Sequence, residues 1–547
     1  MAFTRKKQAV AAVALIAAAA LAFHLATRPP PFADEVNASN LDLARPDALI
    51  RSSALSRLPP DLLRTPLARD VLAEDFVDYY EHNENREALL GTVKRIAYEH
   101  RLDLPDRILR AVFDEPAEVA LWRDEGGRLS HFALAMTRNA LARAIGLLLP
   151  LADAQIASAG ALEGADAPIL ILEYGVRHRL AVLAKGDRVV VLSDPGMLLA
   201  ARETERPENA EGAEKTRAAP PARSAAAAAL IRELLDGGAK ISPFARHFSL
   251  DEPLPEKTHE ITLGAPVFAF DYAHFMPGLR ALSLRFDAAG RWRSAAWLDA
   301  AGKSPAGATL WAALPRGAGL CAALPIAVPR AASLLEAFNA KAGDKPLPAA
   351  ALQSFDGAAA ACWYGNSRLY APLFAAHLAA RPDEARARTL LDMGARISRA
   401  GGAAARFEAK TGAGIWRAEV REDTVYGLRP AWGIAGDALF FSPDAALVDK
   451  ALDVAARRYP AMADDFAPDA GGETLAVIDP RPLAELLRRE MFAALPRAEE
   501  PDFRNAAEAW LAPRLDALAR YPAQRVRLEA SRSKWRPLAW EPLRPPR

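Results

Sequence analysis

The sequence predicts an α+β fold: two related halves with antiparallel sheets and packed helices, preceded by one N-terminal transmembrane or signal helix. Three observations predict it. Strand-like runs alternate with helical ones, short Gly-Asp turns force neighbouring strands to pair antiparallel, and an uncharged apolar run opens the chain.

The opening run comes first. Arg5, Lys6 and Lys7 precede an uncharged stretch from Ala9 to Ala26, which ends at Thr27, Arg28 and the three prolines Pro29, Pro30 and Pro31. Cations, apolar stretch and helix stop stand in export order. Helical geometry gives this stretch about 27 Å, just short of a hydrocarbon core of about 30 Å. Ala20, Leu21 and Ala22 offer a small-x-small cleavage site, so an uncleaved anchor and a cleaved signal both stay open. The cations face the cytoplasm under the positive-inside rule. The expected location is the inner membrane, crossed once, with the bulk of the chain in the periplasm and the N-terminal helix as the membrane contact.

Six regions are expected along the chain: an export or anchor segment at 1–31, a first α+β half at 41–202, a linker at 203–225, a strand-rich middle region at 226–304, a second α+β half at 305–495, and a C-terminal helix and tail at 496–547. In the first half an amphipathic helix runs through Leu62, Leu67, Val71, Phe76 and Tyr80, and a strand around Ser130–Met136 leads into an apolar helix at Ala140–Leu151. Leu180–Ala184 and Arg188–Leu192 flank Lys185-Gly186-Asp187 as a hairpin, after which Ser193-Asp194-Pro195 opens a helix.

Much of that order returns. Ala358–Tyr364 reads as a strand, Gly365–Arg368 as a turn, and Leu369–Leu378 as the helix that follows. Trp432–Ala435 and Ala438–Phe441 flank Gly436-Asp437, and Ser442-Pro443-Asp444 caps a helix carrying Leu447, Val448 and Leu452. Two matching blocks in one order predict an internal duplication.

Composition excludes some functions. Hydrophobic residues make up 51% and charged ones 25% of 547 residues, which is ordinary globular usage. Sixty-nine Lys and Arg stand against 68 Asp and Glu, so the basic field of a nucleic-acid binder is missing. No nucleic-acid partner is expected. Two cysteines, Cys321 and Cys362, allow one disulfide in an exported chain, and two separate buried thiols fit the sequence as well.

Motifs for chemistry are sparse. No Gly-x-Ser-x-Gly elbow and no His-Glu-x-x-His helix occurs, and the nine histidines are scattered. Gly302-Lys303-Ser304 ends like a phosphate loop but has Trp297 where the first glycine belongs. Ser531 and Lys534 have the spacing of a serine–lysine nucleophile but fall in a tail rich in Pro and Trp. A polar, aromatic cluster from Tyr79 to Asn85 offers a recognition patch. Asp271, Tyr272 and His274 place acid/base side chains in one loop between strands, and they are the weak catalytic candidates. Neither a metal site nor a cofactor is expected.

The export segment, the stretch Leu41–Ile50, the stretch Leu58–Leu67 and Tyr79-Tyr80-Glu81-His82 resemble the YfaA-like family of uncharacterised bacterial proteins. That resemblance implies a periplasm-facing protein, often encoded beside an α2-macroglobulin-like protease trap, and it carries over no catalytic residue. The functional expectation is a membrane-tethered periplasmic accessory or scaffold protein with a protein partner. The alternative is a periplasmic hydrolase with its site between the two halves, near Asp271, Tyr272 and His274.

Overall fold

A computed structural model describes residues 41–66, 113–124, 127, 129–139, 156–162, 167–174, 178–199, 224–237, 240–269, 278–299, 307–325, 354–397, 405–410, 414–420, 428–466, 473–494 and 501–543. The export segment, the Tyr79–Asn85 cluster, the helix expected at Ala140–Leu151 and most of the expected linker lie outside these residues. The chain divides into two units, the first formed by Met1–Thr65, Phe76–Phe268 and Ser283–Trp292, the second by the remainder.

The first unit is built on strands β1 (Ala48–Ser52), β2 (Ala117–Arg123), β3 (Leu129–Thr137), β4 (Ile156–Leu162), β5 (Ala167–Tyr174), β6 (His178–Lys185), β7 (Arg188–Leu192) and β8 (Thr258–Gly264). Their pairings are all antiparallel and give the order β8-β1-β2-β3-β7-β6-β5-β4. Strand alternation sends Ile169, Ile171, Leu183, Val190 and Leu192 into a core where each is fully buried. Three of its helices have clear starts in the sequence. Pro59 and Pro60 start α1 (Leu58–Leu62), Ser224 caps α2 (Ala225–Asp236) through the Ala227 amide, and Ser242 caps α3 (Pro243–His247) through the Ala245 amide. The chain passes between the units at several points, one of them within β9 (Leu279–Asp287).

The second unit carries β10 (Trp292–Leu298), β11 (Ala318–Pro325), β12 (Phe355–Tyr364), β13 (Leu373–Leu378), β14 (Ala405–Lys410), β15 (Ile415–Val420), β16 (Ala431–Ala435), β17 (Ala438–Ser442), β18 (Glu473–Ile478), β19 (Gln524–Leu528) and β20 (Trp535–Pro542). Again every printed pairing is antiparallel, in the order β10-β20-β19-β18-β11-β12-β13-β17-β16-β15-β14. From β18 to β14 this order repeats that of β8 to β4, each strand number raised by ten. Leu310, Trp311, Cys321, Cys362, Phe440, Val448 and Leu452 form the main core of this unit.

These ladders overturn the predicted α+β class. Among the described residues the protein is chiefly antiparallel sheet, with twenty strands and few helices. Two elements show why. Leu369–Leu378 was expected as a helix, yet Pro372 interrupts it and Leu373–Leu378 is β13, held between β12 and β17. Ser193-Asp194-Pro195 opens only a four-residue 3-10 turn at Pro195–Leu198, with the Asp194 carboxylate accepting from the Gly196 amide. Its counterpart in the second unit does open a helix, α4 (Ala445–Ala455), capped by Asp444 through the Ala446 amide. The repeat therefore lies in strand order, while the helices differ. Among the described residues no helix is long and apolar enough to cross a membrane.

Candidate functional site

Buried charge marks the site, and β1 supplies it. Its sequence Ala-Leu-Ile-Arg-Ser ends in two polar residues on a central strand, and alternation points them to opposite faces. Arg51 stands opposite Glu118 of β2 and Glu260 of β8, whereas Ser52 stands opposite Ala117 and His259. One strand end thus feeds two clusters.

The first cluster is ionic. Arg51 donates through Nε to Glu260 Oε2 at 2.9 Å and through a second guanidinium nitrogen to the same oxygen, and it reaches the Glu252 carbonyl at 3.0 Å. Glu260 Oε1 accepts from Ser283 at 3.1 Å and from Arg285 at 3.0 Å. Arg51 and Glu260 are 4% and 3% exposed, so neither charge could be tolerated without the other. Burial pushes the Glu260 carboxyl up, but Arg51 and Arg285 outweigh it and hold the group below its usual range. Glu118, across the strand, goes the other way. Burial raises its carboxyl above the usual range despite a hydrogen bond with Ser242 and the opposing fields of Arg51 and Arg188. Its Oε2 is shut off from solvent with no hydrogen-bond partner.

The second cluster is a chain of three side chains. Ser52 Oγ lies 2.8 Å from His259 Nδ1, and His259 Nε2 lies 3.1 Å from Asp61 Oδ2. Asp61 arrives on α1 and is fixed through Oδ1 by Arg64 at 2.8 Å. A carboxylate only accepts, so Nε2–H donates to it; in that tautomer the Nδ1 lone pair accepts from the Ser52 hydroxyl. The Ala54 amide donates to Ser52 Oγ at 3.2 Å, and the Phe286 ring packs 5.1 Å from the imidazole.

Both clusters open on one cavity of about 550 Å³ within the first unit, lined among others by Arg51, Ser52, Asp61, Glu118, Arg188 and His259. That volume suits a small ligand or a few residues of peptide. Residues from α2, α3 and the Gly237 turn form another wall. At Gly237 the backbone takes a φ of +59°, and the Arg188 Nε stands 2.8 Å from where a Cβ would be, so only glycine lets this guanidinium in.

Asp271, Tyr272, His274 and Gly302-Lys303-Ser304 lie outside the described residues. Ser531 is exposed and its Oγ accepts from the Ser533 amide at 3.1 Å, and Lys534 sits 5.6 Å over the Trp297 ring. Cys321 and Cys362 face each other across β11 and β12 and are joined by a disulfide. Among the described residues no group of three or more His, Cys, Asp or Glu side chains is placed to hold a metal ion. Sequence reading passed over Ser52, Asp61 and His259 because 207 positions separate the serine from the histidine. The available signal was adjacent polar residues, Arg51-Ser52 and His259-Glu260, within short strands.

With the site in view, its relatives can be stated. Residues 6–544 match the family described as an uncharacterized protein conserved in bacteria, DUF2138. The chain belongs to this family. The uncharacterized protein YfaA of Escherichia coli (strain K12) is 31% identical over 545 residues, covering 93% of this chain and 92% of that protein. No solved structure matches. DUF2138 membership covers both ladders, and it brings no chemistry to the cavity of the first.

Proposed function

We propose that this chain is a membrane-tethered periplasmic accessory protein that works by binding a protein partner through the cavity of its first unit. One observation carries the reading. Two ladders share a strand order, and where the second sets Cys321 in an apolar core the first sets buried Arg51 between two carboxylates beside a cavity. Burying Arg51, Glu118 and Glu260 there stabilises the fold less than an apolar core would, which fits a role in recognition. The tether rests on the export order of Arg5–Lys7, Ala9–Ala26 and Pro29–Pro31. The partner suggested by the family resemblance is an α2-macroglobulin-like protease trap.

Two measurements test it. With a C-terminal tag, protease added to spheroplasts should remove the tag, and a tag protected until lysis would reject the periplasmic placement. The detergent-solubilised chain should recover the protease trap, and the cavity-filling variant Ala54→Trp should recover at least tenfold less. Equal recovery by both chains would reject the cavity as the docking site.

A second reading, a hydrolase, is favoured by the Ser52–His259–Asp61 chain.

A further inference from the structure

The geometry points to Ser52 as a nucleophile for acyl transfer, with His259 as its general base and Asp61 as the residue that positions His259. This goes beyond binding, because it assigns a covalent step to the same cavity and needs neither the tether nor the partner.

Three features lead to it. The hydrogen-bond chain runs hydroxyl, imidazole, carboxylate, at 2.8 and 3.1 Å, within the reach required of a nucleophile and its base. Each member is buried, at 2%, 1% and 4% exposure, so the imidazole is held in one orientation with the Phe286 ring beside it. All three residues also line the cavity, which sets the chain of hydrogen bonds in its wall. The imidazole is used in the sense opposite to the familiar serine-protease template, with Nδ1 toward the serine and Nε2 toward the acid. The tautomer stays consistent, because the nitrogen facing the serine is the unprotonated one.

The second unit supplies a contrast. His377 places Nδ1 2.6 Å from Asp356 and Nε2 3.2 Å from Asp437, so its two nitrogens meet two carboxylates and no hydroxyl. A histidine bridging two acids ties a turn together. A histidine between an acid and a hydroxyl can move a proton.

The substrate class is a carboxylic ester of modest size, set by the volume of about 550 Å³. Ser52 Oγ bonds to the ester carbon while its proton passes to His259 Nδ1. The carbon–oxygen bond to the alcohol then breaks, and the alcohol leaves with that proton. Water next gives a proton to Nδ1 and bonds to the acyl carbon, and the Ser52 oxygen departs and is reprotonated. The balance is ester plus water giving acid plus alcohol. Lys240 and Lys257, both exposed and both lining the cavity, add positive charge to its wall.

The test uses the full chain in detergent micelles with a biotinylated fluorophosphonate and peptide mapping by mass spectrometry. Wild type should carry one adduct, on Ser52, and Ser52→Ala should carry none. His259→Gln should slow labelling by about 10²- to 10⁴-fold. Asp61→Asn should slow it and also change its pH profile, which a purely structural loss would not do. Hydrolysis of p-nitrophenyl acetate should follow the same ranking. Circular dichroism melts on every variant establish that it is folded. Folded wild type without an adduct, or an adduct that persists in Ser52→Ala, would overturn the assignment. Loss of the partner contact with Ser52 labelling intact would reject the binding reading alone.

Discussion

In the first unit the central strand β1 sets Arg51 between Glu118 and Glu260, whereas β11, at the same place in the second ladder, sets Cys321 between Cys362 and Val477. Around Cys321 the surroundings are Leu310, Trp311, Leu373 and Phe440, a closed apolar core fastened by a disulfide. Around Arg51 they are carboxylates, a second guanidinium and a cavity. One strand order therefore hosts two solutions. The second unit uses its centre for stability, and the first uses it to present polar groups in a place shielded from water.

The sharpest way to break this comparison is to remove one charge. Arg51→Met should leave Glu260 buried with its main partner gone and destabilise the first unit by about 3–5 kcal/mol. Its midpoint in urea should fall well below that of wild type while the second unit's transition stays put. Restoring balance with Arg51→Met and Glu260→Met together should recover most of the loss. A double variant no more stable than the single one would mean that the ion pair is not what holds this centre. Acid probes the same pair. Glu260 is depressed in the fold, so its contribution is present above the ordinary carboxylate range and is lost as pH falls through its lowered folded value.

The matching perturbation of the second unit is the double variant Cys321→Ala and Cys362→Ala. The bridge closes a loop across a sequence separation of 41 residues, for which chain entropy gives a stabilisation of about 3–4 kcal/mol. Thermal unfolding should show the upper or lower transition of that unit alone moving, and a shift shared by both units would deny them separate cores. Fluorophosphonate labelling at Ser52 should be untouched by this change.

Some of this was legible in the sequence, and the limits have physical causes. The hairpins β6–β7 and β16–β17 could be read because Gly186 and Gly436 supply the positive φ that a tight turn needs. Their caps, Asp194 and Asp444, were legible too, since each accepts from the amide two residues on. The sheet-rich class was not. Leu373–Leu378, read as part of a helix, has no β-branched residue and no clean alternation, so only pairing with β12 and β17 decides its state. The site was hidden for a different reason. Ser52 and His259 are neighbours across an antiparallel ladder, and no local motif records a contact 207 residues apart.

Glu118 offers a finer probe, because its effect is a slope with pH. The carboxyl is raised in the fold by burial, so its favourable protonated state is fully present below the unfolded value and its contribution is lost as pH rises through the folded value. Glu118→Gln keeps the shape and removes the ionisation. Urea titrations should find the variant more stable than wild type at neutral pH, with the gain vanishing in acid. A gain that persists unchanged into acid would assign it to packing instead of charge.

The smallest expected difference returns to the two caps. Asp444 opens an eleven-residue helix that packs Leu447, Val448 and Leu452 into the core of the second unit, so losing its side chain takes the partner from the Ala446 amide at the start of a core-forming helix. Asp194 opens a 3-10 turn of four residues, whose buried Pro195, Met197 and Leu198 hold it in place by packing. Asp444→Ala should therefore cost about 1 kcal/mol, near the usual figure for a lost cap, and Asp194→Ala should cost less than half of that. Denaturant midpoints for the two variants, read unit by unit, decide it. Equal losses would mean that the cap, and not the element following it, sets the stability of these hairpin ends.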